Sequence, residues 1–169
     1  MTTGPERAGG DSFEAFVTAL DYPMFVVTTA ADGERAGCLV GFATQVSIHP
    51  PRFLVGLSDK NHTFGLAARA THLAVHLLTP QDLPVARLFG EHTGDDLDKF
   101  AQCSWTAGPG GVPVLDGVSG WFVGRILDRF TLGDHVATLL EPEAGQVRGD
   151  VEGLLTLADV HDLEPGHGA

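Results

Sequence analysis

The Asp-Gly pair at Asp32-Gly33 constrains the fold of this chain more than any other feature of its sequence. Residues 24–29 before it are rich in β-branched side chains, which favour strands, and residues 36–40 after it form a second apolar run. Asp-Gly between two such runs is typical of a two-residue hairpin turn. A hairpin pairs its strands antiparallel, so the pattern argues against a purely parallel sheet.

Short apolar runs separated by turn residues continue along the chain and predict further strands. The predicted strands cover residues 46–48, 52–57, 72–78, 121–130, 134–140 and 154–157, and the predicted helices cover residues 11–20, 61–69, 81–89 and 95–100. Pro50-Pro51 marks a corner, because proline cannot donate the hydrogen bond that a central strand needs. Many strands with short turns favour a mainly antiparallel β-barrel with inserted helices, and a mixed α/β sandwich is the alternative that the pattern leaves open.

The length of 169 residues and a hydrophobic content of 43% fit one globular domain. We expect residues 1–10 to be a disordered N-terminal lead and residues 11–169 to be a single domain. The first residues lack the apolar core of a signal peptide, and no apolar run reaches the ~18 residues that a membrane span needs. With only two cysteines in addition, the sequence predicts a reduced, cytoplasmic protein.

The net charge of the chain limits the classes of partner that it can bind. Lys and Arg number 10 against 22 Asp and Glu, which gives a formal net charge of -12. Nucleic acids and anionic membranes both require a basic face, so the sequence predicts neither as a partner. A local cationic cluster can still bind a small anionic ligand.

One stretch, residues 36–63, has a composition suited to a flat ligand with an anionic end. Its middle part is small and polar, so the backbone at Gly41 and Ala43 can approach a ring closely. Its last part places Lys60 and Thr63 at the predicted start of a helix, where a point charge and free N–H groups favour an anion. Taken alone, the pattern favours the ordinary explanation of these residues, which is small-residue packing, a helix cap and an exposed lysine.

Four motifs in sequence order resemble the flavin reductase-like, FMN-binding split-barrel family across residues 21–140. They are Tyr22-Pro23 with the strand at residues 25–29, the segment 37–51, the turn Val114-Leu115-Asp116-Gly117 with Trp121, and Gly133-Asp134-His135. The resemblance implies an antiparallel split β-barrel that works as a homodimer. It also implies reduction of flavin by NADH or NADPH, often for a partner monooxygenase.

The resemblance further implies where FMN, or less often FAD, would bind. The implied flavin contacts are Leu39, Val40, Gly41, Phe42, Ala43, Thr44, Gln45 and Ser47, with Lys60, Asn61, His62 and Thr63 near the phosphate. His135 is the implied catalytic residue, where it would orient the dihydronicotinamide and stabilise developing charge, and Asp134 would steer it.

The chain departs from the family pattern in ways that leave a second function open. Apolar residues stand at Leu39 and Phe42 where many relatives carry polar ones, His76 replaces the usual Asn, and the aromatic and basic C-terminal stretch is missing. The alternative is therefore an FMN-binding protein without fast nicotinamide oxidation, acting as a carrier or in electron transfer. A split barrel that holds another planar ligand, such as haem or a deazaflavin, is a third hypothesis.

The remaining candidates for chemistry have ordinary structural explanations. His72 and His76 are four residues apart, but they fall on a predicted strand, so the sequence predicts no metal site. Cys38 lies in an apolar run and is predicted to be a core residue. Trp121 is predicted to lie in the core or at a dimer interface.

Overall fold

The computed structural model describes residues 9–91 and 97–163, which form a large antiparallel sheet, a small hairpin and three α-helices. The strands are β1 Phe25–Ala31, β2 Glu34–Val40, β3 Ala43–Ser47, β4 Arg52–Ser58, β5 His72–Leu77, β6 Trp105–Ala107, β7 Pro113–Leu115, β8 Gly120–Thr131 and β9 His135–Val147. The helices are α1 Gly9–Thr18, α2 His62–Ala67 and α3 Leu83–Glu91, with 3-10 helices at Pro80–Asp82, Lys99–Ala101, Pro109–Gly111 and Leu157–Val160. The predicted mainly antiparallel β fold is confirmed.

Seven strands form the large sheet in the order β2-β1-β5-β8-β9-β4-β3, and all neighbouring strands are antiparallel. Within the described residues, β2 and β3 are therefore edge strands, each with one side that lacks a strand partner. β6 and β7 form a separate hairpin that the sequence pattern did not predict. None of the described helices is long and apolar enough to span a membrane.

The predicted Asp-Gly hairpin joins β1 to β2. Asp32 has a φ of 53° and Gly33 a φ of 79°, and Ala31 pairs with Glu34 across the turn. Two successive left-handed residues match the right-handed twist of the two strands, which is why this dipeptide is favoured there. The turn thus fixes the register in which β2 pairs with β1. The other side of β2 has no strand partner among the described residues.

A second hairpin, between β8 and β9, brings Asp134 and His135 to the end of β4. Ser58 lies opposite His135 in the sheet register, and the Asp59 N–H donates a hydrogen bond to the Asp134 carbonyl at 2.9 Å. The predicted strands at residues 121–130 and 134–140 are confirmed, and β9 continues to Val147.

The core lies on both faces of β1. Val26 belongs to a cluster that includes Leu78, Phe89 and Leu155, whereas the adjacent Val27 belongs to the cluster on the opposite face of the strand. A strand buried on both faces has an apolar sequence without polar alternation. The predicted core position of Cys38 is also confirmed, because it is buried in the same cluster as Val27.

His76 is a fully buried polar residue that links three strands. Its Nδ1 donates to the Val26 carbonyl at 2.9 Å, and its Nε2 accepts from the Leu115 N–H at 3.0 Å. Burial lowers the pKa of His76 to about 4. His72, four residues before it, lies 3.0 Å from Glu143, and the described residues contain no metal-binding cluster of His, Cys, Asp or Glu.

The predicted strand at residues 154–157 is wrong. Only an isolated bridge between Pro23 and Thr156 forms there, and a 3-10 helix begins at Leu157. The cause is a capping box, in which the Thr156 N–H donates to the Asp159 carboxylate at 2.9 Å and favours a helical turn over an extended chain.

Other predictions need smaller corrections. The strand predicted at residues 46–48 spans Ala43–Ser47, and Ile48 lies in the following turn. The strand at residues 52–57 exists as β4 but only Val55 and Leu57 are buried, since its partner β3 is a mostly exposed edge strand. The helix predicted at residues 81–89 is confirmed as α3, preceded by a 3-10 turn.

Two predictions fall partly on residues that the structure does not describe. Residues 1–8 of the predicted lead lie outside the described part, and Gly9 and Gly10 form the start of α1. Residues 92–96 also lie outside it, so of the helix predicted at residues 95–100 only the 3-10 turn beginning at Lys99 is seen.

Candidate functional site

A cavity of about 320 Å³ lies along the open edge of β2. Its walls come from the end of β2, the end of β4, the start of α2, the end of α3 and the C-terminal segment. Because β2 lacks a strand partner on one side, backbone N–H and C=O groups of this strand are available to a ligand. The cavity therefore combines a polar strand edge with apolar walls such as Leu57, Leu157 and Val160.

Only the first part of the predicted flavin-binding segment, residues 39–42, lines the cavity. Leu39, Val40, Gly41 and Phe42 line the cavity. Ala43, Thr44, Gln45 and Ser47 do not line it, because they continue into β3. In that strand Thr44 and Gln45 are exposed, and the Gln45 amide donates to the Ser47 carbonyl at 3.1 Å.

Gly41 is required by packing rather than by the open side of the cavity. A Cβ at this position would lie 2.5 Å from Tyr22 Cε2 and 3.0 Å from Met24 Sδ. The glycine thus lets the Tyr22 ring pack against the strand. Tyr22 in turn packs against Phe42, with 6.3 Å between ring centroids, and both rings line the cavity.

Only part of the predicted phosphate-binding cluster lines the cavity. Asn61 and His62 line the cavity. The Asn61 side chain caps α2 by accepting a hydrogen bond from the Thr63 N–H at 2.8 Å, and Thr63 is buried behind it. Lys60 is exposed and lies close enough to Asp134 to lower the pKa of that carboxyl.

His135 lines the same cavity and is held there by two neighbours. Its Nδ1 lies 2.7 Å from Oδ1 of Asp134, and its ring lies 5.0 Å from the Phe42 ring at an interplanar angle of 56°. The hydrogen bond and the charge of His135 lower the pKa of Asp134, so this carboxylate stays ionised and accepts the Nδ1 proton. Nε2 is then the nitrogen of His135 left for a ligand. The structure thus brings His135 together with residues 39–42.

Lys99 is a cavity residue that the sequence did not reveal. It is only 5% exposed, and its ammonium donates to the carbonyls of Gly37 and Phe89, each at 3.0 Å. Burial lowers the pKa of Lys99. A lysine between Asp98 and Phe100 in a polar stretch is expected to be solvated, because lysines are rarely buried. No periodicity or motif could have signalled it.

A family model of the flavin reductase like domain matches residues 17–162, most of this chain. This chain belongs to the flavin reductase-like family. The matched region contains every residue that lines the cavity except Leu163.

Two relatives and one solved structure show what this chain is similar to. The reductase component of a flavin-dependent trigonelline monooxygenase from Acinetobacter baylyi is 30% identical over 125 residues, which cover 74% of this chain and 38% of that protein. An FMN reductase (NADH) RutF from Methylorubrum extorquens is 28% identical over 144 residues, covering 85% of this chain and 70% of the relative. A flavin reductase domain protein from Arthrobacter sp. FB24 is 25% identical with a TM-score of 0.77, over 87% of this chain and 89% of that one.

Several curated relatives are longer than this chain. The chain spans only about half, or less, of the length of several curated relatives that it matches, for example 38% of the Acinetobacter protein. The Arthrobacter structure, by contrast, matches over nearly its whole length.

Proposed function

We propose that this chain is an NADH-dependent flavin reductase that binds FMN in the cavity beside β2. The observation that carries the proposal is the position of His135, which Asp134 orients and which faces the same cavity as Leu39 and Phe42. The names of two relatives support NADH and FMN as ligands and a monooxygenase as the partner that receives reduced flavin.

The residues of the cavity fit a flavin. The open edge of β2 offers backbone donors and acceptors to a flat polar ring, while Phe42 and Leu57 offer apolar surface. Asn61 lies in the cavity wall, and Lys99 offers a buried positive charge for the phosphate. Contacts from Ala43, Thr44, Gln45, Ser47, Lys60 and Thr63 stay predictions, since these residues do not line the cavity.

In this proposal the protein supplies position and charge rather than a nucleophile. A flavin held in the cavity would supply the redox chemistry, by direct transfer of a hydride from the nicotinamide. Nε2 of His135 would orient the dihydronicotinamide and stabilise charge that develops during transfer, since Asp134 holds Nδ1. The apolar walls at Leu157 and Val160 keep water from that side of the cavity.

The test uses pure protein, FMN and NADH. We expect FMN to bind, and we expect NADH to bleach the bound flavin rapidly under anaerobic conditions and to be oxidised in air in an FMN-dependent manner. Bound flavin that NADH does not bleach would contradict the reductase and leave the carrier or electron-transfer alternative. Absence of flavin binding would contradict both.

We further propose that the sheet forms the split barrel implied by the sequence, within one domain of residues 11–169. β2 and β4 stand five places apart in the order of the seven-stranded sheet and yet line one cavity, which supports a strongly curled sheet. The two cysteines of the chain, Cys38 and Cys103, are both unpaired, which supports the cytoplasmic location expected from the sequence.

A homodimer is proposed on the basis of α1. The predicted apolar face of this helix exists, but it is not buried against the described chain: Phe13 is 65% exposed and Phe16 is 63% exposed. Apolar side chains on one helix face favour burial against a second copy. We expect light scattering to give twice the monomer mass for the wild type and the monomer mass for a Phe13→Glu, Phe16→Glu double variant. A monomeric wild type would contradict this proposal.

A further inference from the structure

Helix α2 places two residues in the cavity wall at its start, Asn61 and His62. The helix has only six residues, from His62 to Ala67. A helix of this length is not stable by itself in water, because its few hydrogen bonds do not offset the cost of forming the first turn. The positions of Asn61 and His62 therefore depend on the contacts between α2 and the rest of the protein.

Arg129 contacts the other end of α2. Its Nη2 donates to the Ala67 carbonyl at 2.9 Å and to the Ala70 carbonyl at 2.8 Å. Carbonyls at the C-terminal end of a helix lack partners within the helix and carry its negative partial charge. A guanidinium at this end makes charge-assisted hydrogen bonds, which are stronger than neutral ones. Arg129 thus holds the end of α2 to strand β8.

The hairpin that carries Arg129 also carries His135. Arg129 lies on β8, and His135 begins β9 after the turn between the two strands. The same hairpin contacts the chain just before α2, where the Asp59 N–H donates to the Asp134 carbonyl at 2.9 Å. The hairpin therefore holds α2 on both sides, through Asp59 before its start and through Arg129 at its end.

We propose that Arg129 is a positioning residue of the flavin site, which fixes α2 relative to the hairpin that carries His135. Arg129 does not line the cavity, so it acts through α2 and not by contact with a ligand. The inference rests on the proposed function, in which the flavin phosphate lies near Lys99 and Asn61. Loss of the Arg129 contacts would displace this part of the wall. Binding of FMN would then weaken more than binding of riboflavin, which has no phosphate.

The main experiment compares FMN with riboflavin by fluorescence titration of the apoprotein. We expect Arg129→Met to lower the affinity for FMN about tenfold, the size of one charge-assisted contact, and to change the affinity for riboflavin less than about twofold. Arg129→Lys keeps the charge and the N–H donors, so it should restore most of the preference for FMN. Arg125→Met is the matched control, because it removes the same charge from the same strand at a residue that pairs with Glu141 and Glu143 and does not line the cavity.

Amide hydrogen exchange of the flavin-free protein tests the contact itself. The N–H groups of Ala68 and Ala70 form hydrogen bonds at the end of α2. In Arg129→Met we expect these two amides to exchange about tenfold faster, whereas the Val75 amide in the central strand β5 keeps its wild-type rate. Should Arg129→Met not fold, Arg129→Gln, which keeps a donor but loses the charge, replaces it in both measurements with the same expected direction.

Failure of this inference and failure of the proposed function are distinguishable. An unchanged FMN affinity in Arg129→Met overturns the positioning role and leaves the reductase proposal intact. An equal loss for FMN and riboflavin, the same loss in Arg125→Met, or unchanged exchange at Ala68 and Ala70 does the same. A wild type that binds FMN and riboflavin equally also overturns the positioning role alone. A wild type that binds neither flavin overturns the reductase proposal and this inference together.

Discussion

Replacing His135 with alanine is expected to lower kcat for FMN-dependent NADH oxidation by about 100-fold, the loss that follows removal of one preorganised polar group at a reacting centre. The side chain faces the cavity and is held by Asp134 at 2.7 Å. The affinity for FMN should change much less, because residues 39–42 supply the ring contacts in our proposal. Steady-state kinetics and flavin titration measure the two effects separately.

Two further variants sharpen this expectation. Asp134→Asn keeps the size of the side chain but removes the charge that holds the Nδ1 proton of His135, so we expect a loss of about tenfold in kcat. His161→Ala is the control, because this exposed histidine contacts the Ala158 carbonyl and does not line the cavity. Wild-type turnover in His135→Ala would remove this residue from the proposed mechanism.

The second large effect is a loss of stability in mild acid caused by His76. Burial disfavours the charged ring and lowers the pKa of His76 from about 6.5 in the unfolded chain to about 4 in the folded protein, although the hydrogen bond to the Val26 carbonyl acts in the opposite direction. Between pH 6.5 and 4 the unfolded chain binds the extra proton and the folded protein does not. Stability is therefore complete above pH 6.5 and falls as the pH drops to 4, by about 3 kcal/mol in total.

Urea unfolding at several pH values between 4 and 8 measures this effect. The comparison is with His76→Asn, whose amide can still donate to the Val26 carbonyl but does not titrate. We expect this variant to be less stable than the wild type by about 2 kcal/mol at pH 8, owing to the lost hydrogen bond and the smaller side chain. Its stability should also depend less on pH below 6.5. Equal pH dependence in the two proteins would show that His76 takes up its proton in the folded state, contrary to this account.

Local sequence signals predicted many of the elements, because each rests on interactions between near neighbours. Asp32-Gly33 adopts the backbone that its turn needs, and the Asn61 side chain caps α2. The prediction of a strand at residues 154–157 was wrong, again because of an interaction between near neighbours. A local capping interaction between Thr156 and Asp159 outweighed the apolar composition on which the prediction relied.

Part of the candidate site was also predicted from the sequence. The resemblance to the family selected Leu39, Val40, Gly41, Phe42, Asn61, His62 and His135, and all of these line one cavity. It also selected Thr44 and Gln45, which the structure places in the exposed edge strand β3. The division falls where the chain leaves β2, and that point depends on which strands pair rather than on residue type.

The sequence by itself determined the β1–β2 and β8–β9 hairpins and the approximate strands of the large sheet, because turn chemistry and alternation act over a few residues, and its motifs identified the family. Only the tertiary structure decided that Lys99 is a buried cation, that Tyr22 fills the space beside Gly41 and that Arg129 holds the end of α2. These features arise where segments distant in sequence meet. Lys99 donates to carbonyls of β2 and α3, and no local pattern encodes contacts across 62 and 10 residues of chain.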